Sequence, residues 1–249
     1  MKKQTSPLLK SVKEFLVESL ENYKLKRLNF SIIHAIIATE LLLKERLVRV
    51  HPNLVYTNID LKDLTKGDTL SLSKLPQRLI NLGINISDSG TSLIRNVANW
   101  RNEIVHHMPN YEERKAVTEL GKLYDFLVAF LRDELKLDIR NIIPKSLFPL
   151  LNEILKEWQV LVREAKEKAA IEGEINLVEE CPVCWLIGTV SKRKRNQAYC
   201  HLCKTKLVYA PCDFCGNLTL DTYPYIPQRG AHHARCIEEV MREMENHEK

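Results

Sequence analysis

The first 180 of the 249 residues contain no cysteine; all seven lie at or beyond Cys181. Three C-x-x-C pairs and one single make an odd set that does not suit closed disulfides. The N-terminal stretch lacks the uninterrupted apolar run of a signal peptide, because Lys10, Lys13, Glu14 and Glu18 break it. A membrane-spanning run is missing too. The most apolar segment, residues 30–50, is interrupted by His34, Glu40, Lys44, Glu45, Arg46 and Arg49. No repeat or low-complexity tract is evident. The expectation is a cytoplasmic protein with no membrane partner, in a reducing compartment where clustered cysteines bind metal more often than they pair.

The formal charge is +5. Residues 181–249 hold ten Lys/Arg and seven Asp/Glu, and two thiolate-bound zinc ions would bring that excess to about zero. Net charge therefore says little about nucleic acid, and only a local patch can speak for it.

Residues 7–172 read as helices. Leu9, Val12, Leu16 and Leu20 give an amphipathic helix over Pro7 to Arg27. Asn29 is the expected cap of the next, which runs to about Val50 and is apolar on nearly every side, as at a bundle centre or an interface. A short helix is expected near Leu72 to Leu82. Ser87-Asp88-Ser89-Gly90 is expected to cap a helix over about Thr91 to His107, stopped by Pro109. Long helices over Glu112 to Leu137 and Ser146 to about Ile171 follow. The expected organisation is mainly α: a helical bundle (1–172), a linker (173–180) around Glu172-Gly173-Glu174, and a small two-zinc α+β domain (181–249).

The first metal constellation is Cys181-x2-Cys184-x15-Cys200-x2-Cys203. Each C-x-x-C aims two thiolates at one tetrahedral ion, and the 15 intervening residues suit a β-hairpin, the zinc-ribbon pattern. The second is Cys212-x2-Cys215-x17-His233-x2-Cys236, with His233 and Cys236 on the first turn of a helix over Ala234 to Glu248, as in a treble-clef finger. His232 is the rival ligand, and interleaved pairing of Cys181/Cys184 with Cys212/Cys215 stays open. Both zinc ions are expected to be structural, since each has four protein ligands and the segment holds few large apolar side chains. Lys192-Arg193-Lys194-Arg195 should lie at the ribbon's tip near Trp185, Tyr199 and Tyr209, either contacting nucleic acid or as a solvated turn.

Residues 101–106 read Arg-Asn-Glu-Ile-Val-His, in the last turns of the helix stopped by Pro109. This run, with two long helices before it, a short one between, and another long one after, resembles the R-x4-H signature of the HEPN superfamily. The resemblance covers residues 1 to about 170. It implies a bundle that dimerises and, in many members, a metal-independent endoribonuclease.

The residues make chemical sense alone. Cleavage of RNA by its own 2′-hydroxyl needs a base, an acid and a cation on the phosphate oxygens. His106 moves protons near neutral pH, Arg101 grips phosphate, and Asn102, four residues before His106, shares its helix face. No carboxylate cluster for catalytic magnesium is apparent beside them. The bland alternatives are that His106 or His107 caps the helix, that Arg101 pairs with Glu103 or Glu40, and that Glu40 and Lys44 form an i, i+4 ion pair. His34 reads as a satisfied core or interface histidine.

The expected function is thus a HEPN-type ribonuclease whose zinc fingers recruit RNA or a protein partner such as an antitoxin, which suits a toxin or defence effector. The alternative is a non-catalytic dimer that binds nucleic acid or serves as a scaffold.

Overall fold

The computed structural model describes residues 6–60, 67–107, 113–172, 180–184, 186–193 and 196–221. The chain divides into two compact units, Met1–Gln159 and Val160–Lys249. It is mainly helical, with a small antiparallel sheet towards the C-terminus.

The first unit is built on α1 (Pro7–Lys24) and α2 (Leu28–Val48). Ser6 caps α1 by accepting from the Leu9 amide at 3.1 Å, and the helix closes before Lys26, whose φ of 56° ends it. Asn29 does not cap α2. The helix begins at Leu28 with Arg27 at the cap position and no side-chain hydrogen bond there.

α2 is the bundle centre. It packs against α1, α3 (Leu75–Asn81), α4 (Asp88–His107) and α5 (Glu113–Glu134). Its all-round apolarity is accounted for within one chain: Ile32, Ile36, Leu42, Leu43 and Leu47 are fully buried. Ser19 and Ser31 exchange hydroxyl-to-carbonyl hydrogen bonds at 2.8 Å each way, joining α1 to α2. The buried Tyr124 hydroxyl of α5 donates to Ser19 Oγ at 2.9 Å, so these three buried hydroxyls are all paired.

α4 starts earlier than its apolar pattern indicates. Ser87 Oγ accepts from the Gly90 amide at 3.1 Å, a cap that brings Asp88, Ser89 and Gly90 into the first turn. α5 and α6 (Phe148–Glu172) approach closely at Gly121, where an added Cβ would lie 2.5 Å from Trp158 Cβ. The division between the units falls within α6. The expected linker lies outside the described residues except for Glu180.

In the second unit β1 (Val190–Arg193), β2 (Gln197–Cys200), β3 (Lys206–Pro211) and β4 (Leu218–Leu220) pair in chain order, each antiparallel to the last. The β1–β2 hairpin sits between the first two C-x-x-C pairs, as the ribbon spacing requires. Its core is Cys181, Cys184, Val190, Ala198, Cys200, Leu207, Tyr209 and Leu220. Three of these are cysteines, so apolar burial alone contributes little here. The helix expected over Ala234 to Glu248 lies outside the described residues.

Candidate metal centre and motif helix

The thiols of Cys181, Cys184, Cys200 and Cys203 lie within 4.8 Å of one another. Cys181 Sγ is 3.6 Å from Cys203 Sγ, and Cys184 Sγ is 3.6 Å from Cys200 Sγ. Four sulfurs about 2.3 Å from one tetrahedral zinc would stand about 3.8 Å apart, so this donor set fits. The four can hold a metal ion such as zinc, and the pairing is sequential for this set.

Its electrostatics ask for a cation. Neighbouring thiols, with burial behind them, push Cys181 and Cys184 up, while their S–H groups hold Cys200 far down and Cys203 at about 7. Four thiolates cannot share this volume unless a dication replaces the protons. Outer contacts are in place as well. The Val183 amide donates to Cys181 Sγ at 3.4 Å, and Thr189 Oγ1 and Thr205 Oγ1 lie 3.3 and 3.2 Å from Cys200 and Cys203. Neither threonine follows from ligand spacing.

His201, inside the second knuckle, is buried. Its amide donates to Thr189 O at 2.8 Å, and its Nε2 lies 2.7 Å from Ser191 Oγ and 3.6 Å from Glu172 Oε2. It thereby ties the last residue of α6 to the ribbon.

The C-x-x-C turns share one backbone recipe. The Cys200 amide donates to Thr205 O at 3.0 Å, the Lys204 amide to Cys200 O at 3.0 Å, and Lys204 has φ 63°. In the third turn the Cys212 amide donates to Asn217 O at 2.7 Å, the Gly216 amide to Cys212 O at 2.8 Å, and Gly216 has φ 73°. The first turn matches at its base, with the Cys181 amide donating to Leu186 O at 3.3 Å. Cys212 and Cys215 are therefore presented as the ligands of the first centre are. His233, Cys236 and the rival His232 lie outside the described residues.

Of the basic run, Lys192 and Arg193 lie on β1. Lys192 pairs in register with Ala198, on the face that carries Leu207, and its Nζ lies 5.7 Å from the centre of the Tyr209 ring. Arg193 pairs with Gln197. Lys194 and Arg195 are outside the described residues, as is Trp185.

In α4, Ile104 is fully buried while Arg101, Asn102, Val105 and His106 are exposed. Asn102 and His106 fall on one side of the helix, opposite Ile104, with Val105 beside them at 56% exposure. Arg101 lies about 140° round the helix from His106. Its Nη1 donates to Glu40 Oε2 of α2 at 3.2 Å. Glu40 Oε1 accepts from Lys44 at 2.7 Å, and Lys44 also donates to Thr69 Oγ1 at 3.1 Å. Glu40 thus makes the ion pair with Lys44 and also reaches the motif. Lys44 offsets its charge, so the three groups keep one net positive charge around Arg101. His34 is satisfied as expected, its Nδ1 3.3 Å from Asn22 Nδ2 and its ring against Phe15. No helix among the described residues is long and apolar enough to cross a membrane.

Neither a family model, nor a curated protein, nor a solved structure matches the chain.

Proposed function

We propose that the protein is a metal-independent endoribonuclease of the HEPN type, with a C-terminal region carrying two structural zinc ions. The observation that carries this reading is the exposed Arg101–Asn102–His106 set on the last turns of α4, with Arg101 braced by Glu40. The His106 imidazole takes the proton from an RNA 2′-hydroxyl, whose oxygen attacks the adjacent phosphorus. The 5′-oxygen leaves with a proton from a second imidazole, giving a 2′,3′-cyclic phosphate and a 5′-hydroxyl. Arg101 holds the equatorial phosphate oxygens; the Glu40 contact uses one of its five N–H donors. Asn102, on the His106 side of the helix, orients the imidazole.

One histidine cannot be base and acid in the same step, so the site is completed by a second copy of the chain. Val105, exposed beside Asn102 and His106, supports α4 as the face through which a homodimer forms. Zinc supplies folding energy for the ribbon, on the order of 10–16 kcal/mol per ion in finger-sized peptides. The first ion takes Cys181, Cys184, Cys200 and Cys203. The second takes Cys212, Cys215, His233 and Cys236, a reading supported by the matching turn at Cys212. A role as a toxin or defence effector, with RNA or an antitoxin as partner, is the biological reading that suits this chemistry.

The second reading is a non-catalytic dimer that binds nucleic acid through its ribbon. It is favoured by residues 181–212, which hold six Lys/Arg and no Asp/Glu. The deciding experiment is cleavage of single-stranded RNA in EDTA by wild type and His106→Ala. The nuclease reading expects cutting by wild type, a rate about 10² to 10⁴ lower in the variant, and no cutting of DNA. Equal rates, or an absolute need for magnesium, would replace it with the binding reading.

A further inference from the structure

The ribbon sheet has an outer face that the basic run does not define. In register, Tyr199 of β2 stands opposite Lys206 of β3, and Gln197 opposite Val208. Directly opposed residues share a face, so these four side chains form one surface. Gln197, Lys206 and Val208 are exposed, Val208 at 55%, and Tyr199 is half-buried. Lys204, exposed just beyond the second knuckle, has its Nζ 6.0 Å from the centre of the Tyr199 ring. The opposite face, carrying Ala198 and Leu207, is the core, and Lys192 is turned towards Tyr209 on that side.

The cations of this surface outnumber its acids. Residues 181–212 contain six cations and no carboxylate, so even a four-thiolate zinc, at about −2, leaves the ribbon strongly positive. One acid stands at the β4 edge of the face, since the Asp221 amide donates to Val208 O at 2.8 Å, and Glu172 lies beside His201. An aromatic ring, an apolar neighbour and flanking lysines together match an unstacked base with its phosphates. An acidic peptide would use the lysines but not the ring. A duplex would bury its bases and leave Tyr199 nothing to stack on.

We propose that this outer face binds single-stranded RNA. One base lies on Tyr199 and Val208, and the flanking phosphates contact Lys204 and Lys206. The inference deepens the proposed function by naming the strand-binding surface, and it rests on that reading for the choice of RNA.

The test is fluorescence anisotropy of the full chain with a labelled, fully 2′-O-methylated uridine 12-mer, which reports binding without cleavage. Lys204→Ala/Lys206→Ala should weaken binding about ten-fold or more near 0.1 M salt and make the log–log salt slope shallower by about 1.4. Tyr199→Leu should weaken it about five-fold or more with the salt slope unchanged. Lys10→Ala/Lys13→Ala, which removes the same charge from the helical unit, should bind as wild type. The metal content of every variant is measured alongside, and if Tyr199→Leu sheds metal the lysine pair decides. The proposal is overturned by wild-type affinity in the lysine pair, by equal loss in the Lys10/Lys13 control, or by equal binding of a duplex. It is also overturned if a glutamate 12-mer competes as well as RNA, which would assign the face to a protein. Cleavage of unmodified RNA is scored separately. A chain that binds through this face and does not cut retires the nuclease reading alone; one that cuts while the lysine pair binds normally retires the face alone.

Discussion

Gly121→Ala sets two known effects against each other inside α5. On an exposed helix the change is favourable by about 1 kcal/mol, because glycine loses more backbone entropy than alanine. Here the new Cβ would stand 2.5 Å from Trp158 Cβ and 2.9 Å from Trp158 Cγ. Carbon atoms rest about 3.5–4.0 Å apart, so the shortfall is about 1 Å against an atom attached directly to the α6 backbone. No rotamer change moves a Cβ, and Trp158 is buried. α5 and α6 must part, or the indole must leave its seat. Overpacking of this kind costs about 1–3 kcal/mol, and the larger end applies because a backbone has to shift. The expected net loss is about 1–2 kcal/mol, lowering Tm by about 2–8 °C for a unit of this size. Urea and thermal melts followed by circular dichroism measure it directly. Trp158→Phe keeps the offending Cβ, so the loss from Gly121→Ala should be about as large in that background. A Gly121→Ala protein more stable than wild type would refute the reasoning, since it would show that the two helices part at no cost.

Elemental analysis of protein purified without added metal should find about two zinc ions per chain. His233→Ala should lose one and His232→Ala neither, with the reverse result reassigning the ligand. Tyr124 carries a pKa pushed well above its usual 10 by burial. Above pH 10 the unfolded chain therefore releases this proton and the folded chain keeps it, so stability falls as pH rises. Circular-dichroism melts between pH 9 and 11.5 should show that fall, and Tyr124→Phe should flatten it while losing about 1 kcal/mol at neutral pH with the hydrogen bond to Ser19. Light scattering of the full chain at micromolar concentration should give twice the monomer mass, and Val105→Glu should return it to the monomer. A wild-type monomer that still cleaves RNA would rule out the shared site.

Which features could be read from the sequence follows from which are local. The helices of the first unit show in their apolar periods, and the first metal set shows in its spacing, because two knuckles and a hairpin admit few other arrangements. The sequence offers Asn29 as the cap of α2, but the helix begins at Leu28 with no side-chain cap. Contacts between distant segments left no local mark. Tyr124 meets Ser19 across 105 residues and Arg101 meets Glu40 across 61. Glu40 had two readings in the sequence, ion pair with Lys44 or neighbour of the motif, and packing of α2 on α4 makes both true. The basic run looked like one patch because its residues are adjacent. Pairing of β1 with β2 puts Lys192 opposite Ala198, on the core face, and so takes it out of any outer patch.

The order of the sheet has a consequence for how the second unit is made. β1 to β4 pair strictly in chain order, so each strand finds its partner by closing a short loop and no distant segment has to be awaited. Cys203 completes the four-thiol set before Cys212 and the rest of the proposed second set are made. On the ribosome the first thiol cluster can therefore seize its ion and fold the hairpin while the later ligands are still unmade. Metal loading is then expected to be vectorial, with a thiol of the proposed second set arriving too late to compete for the first ion.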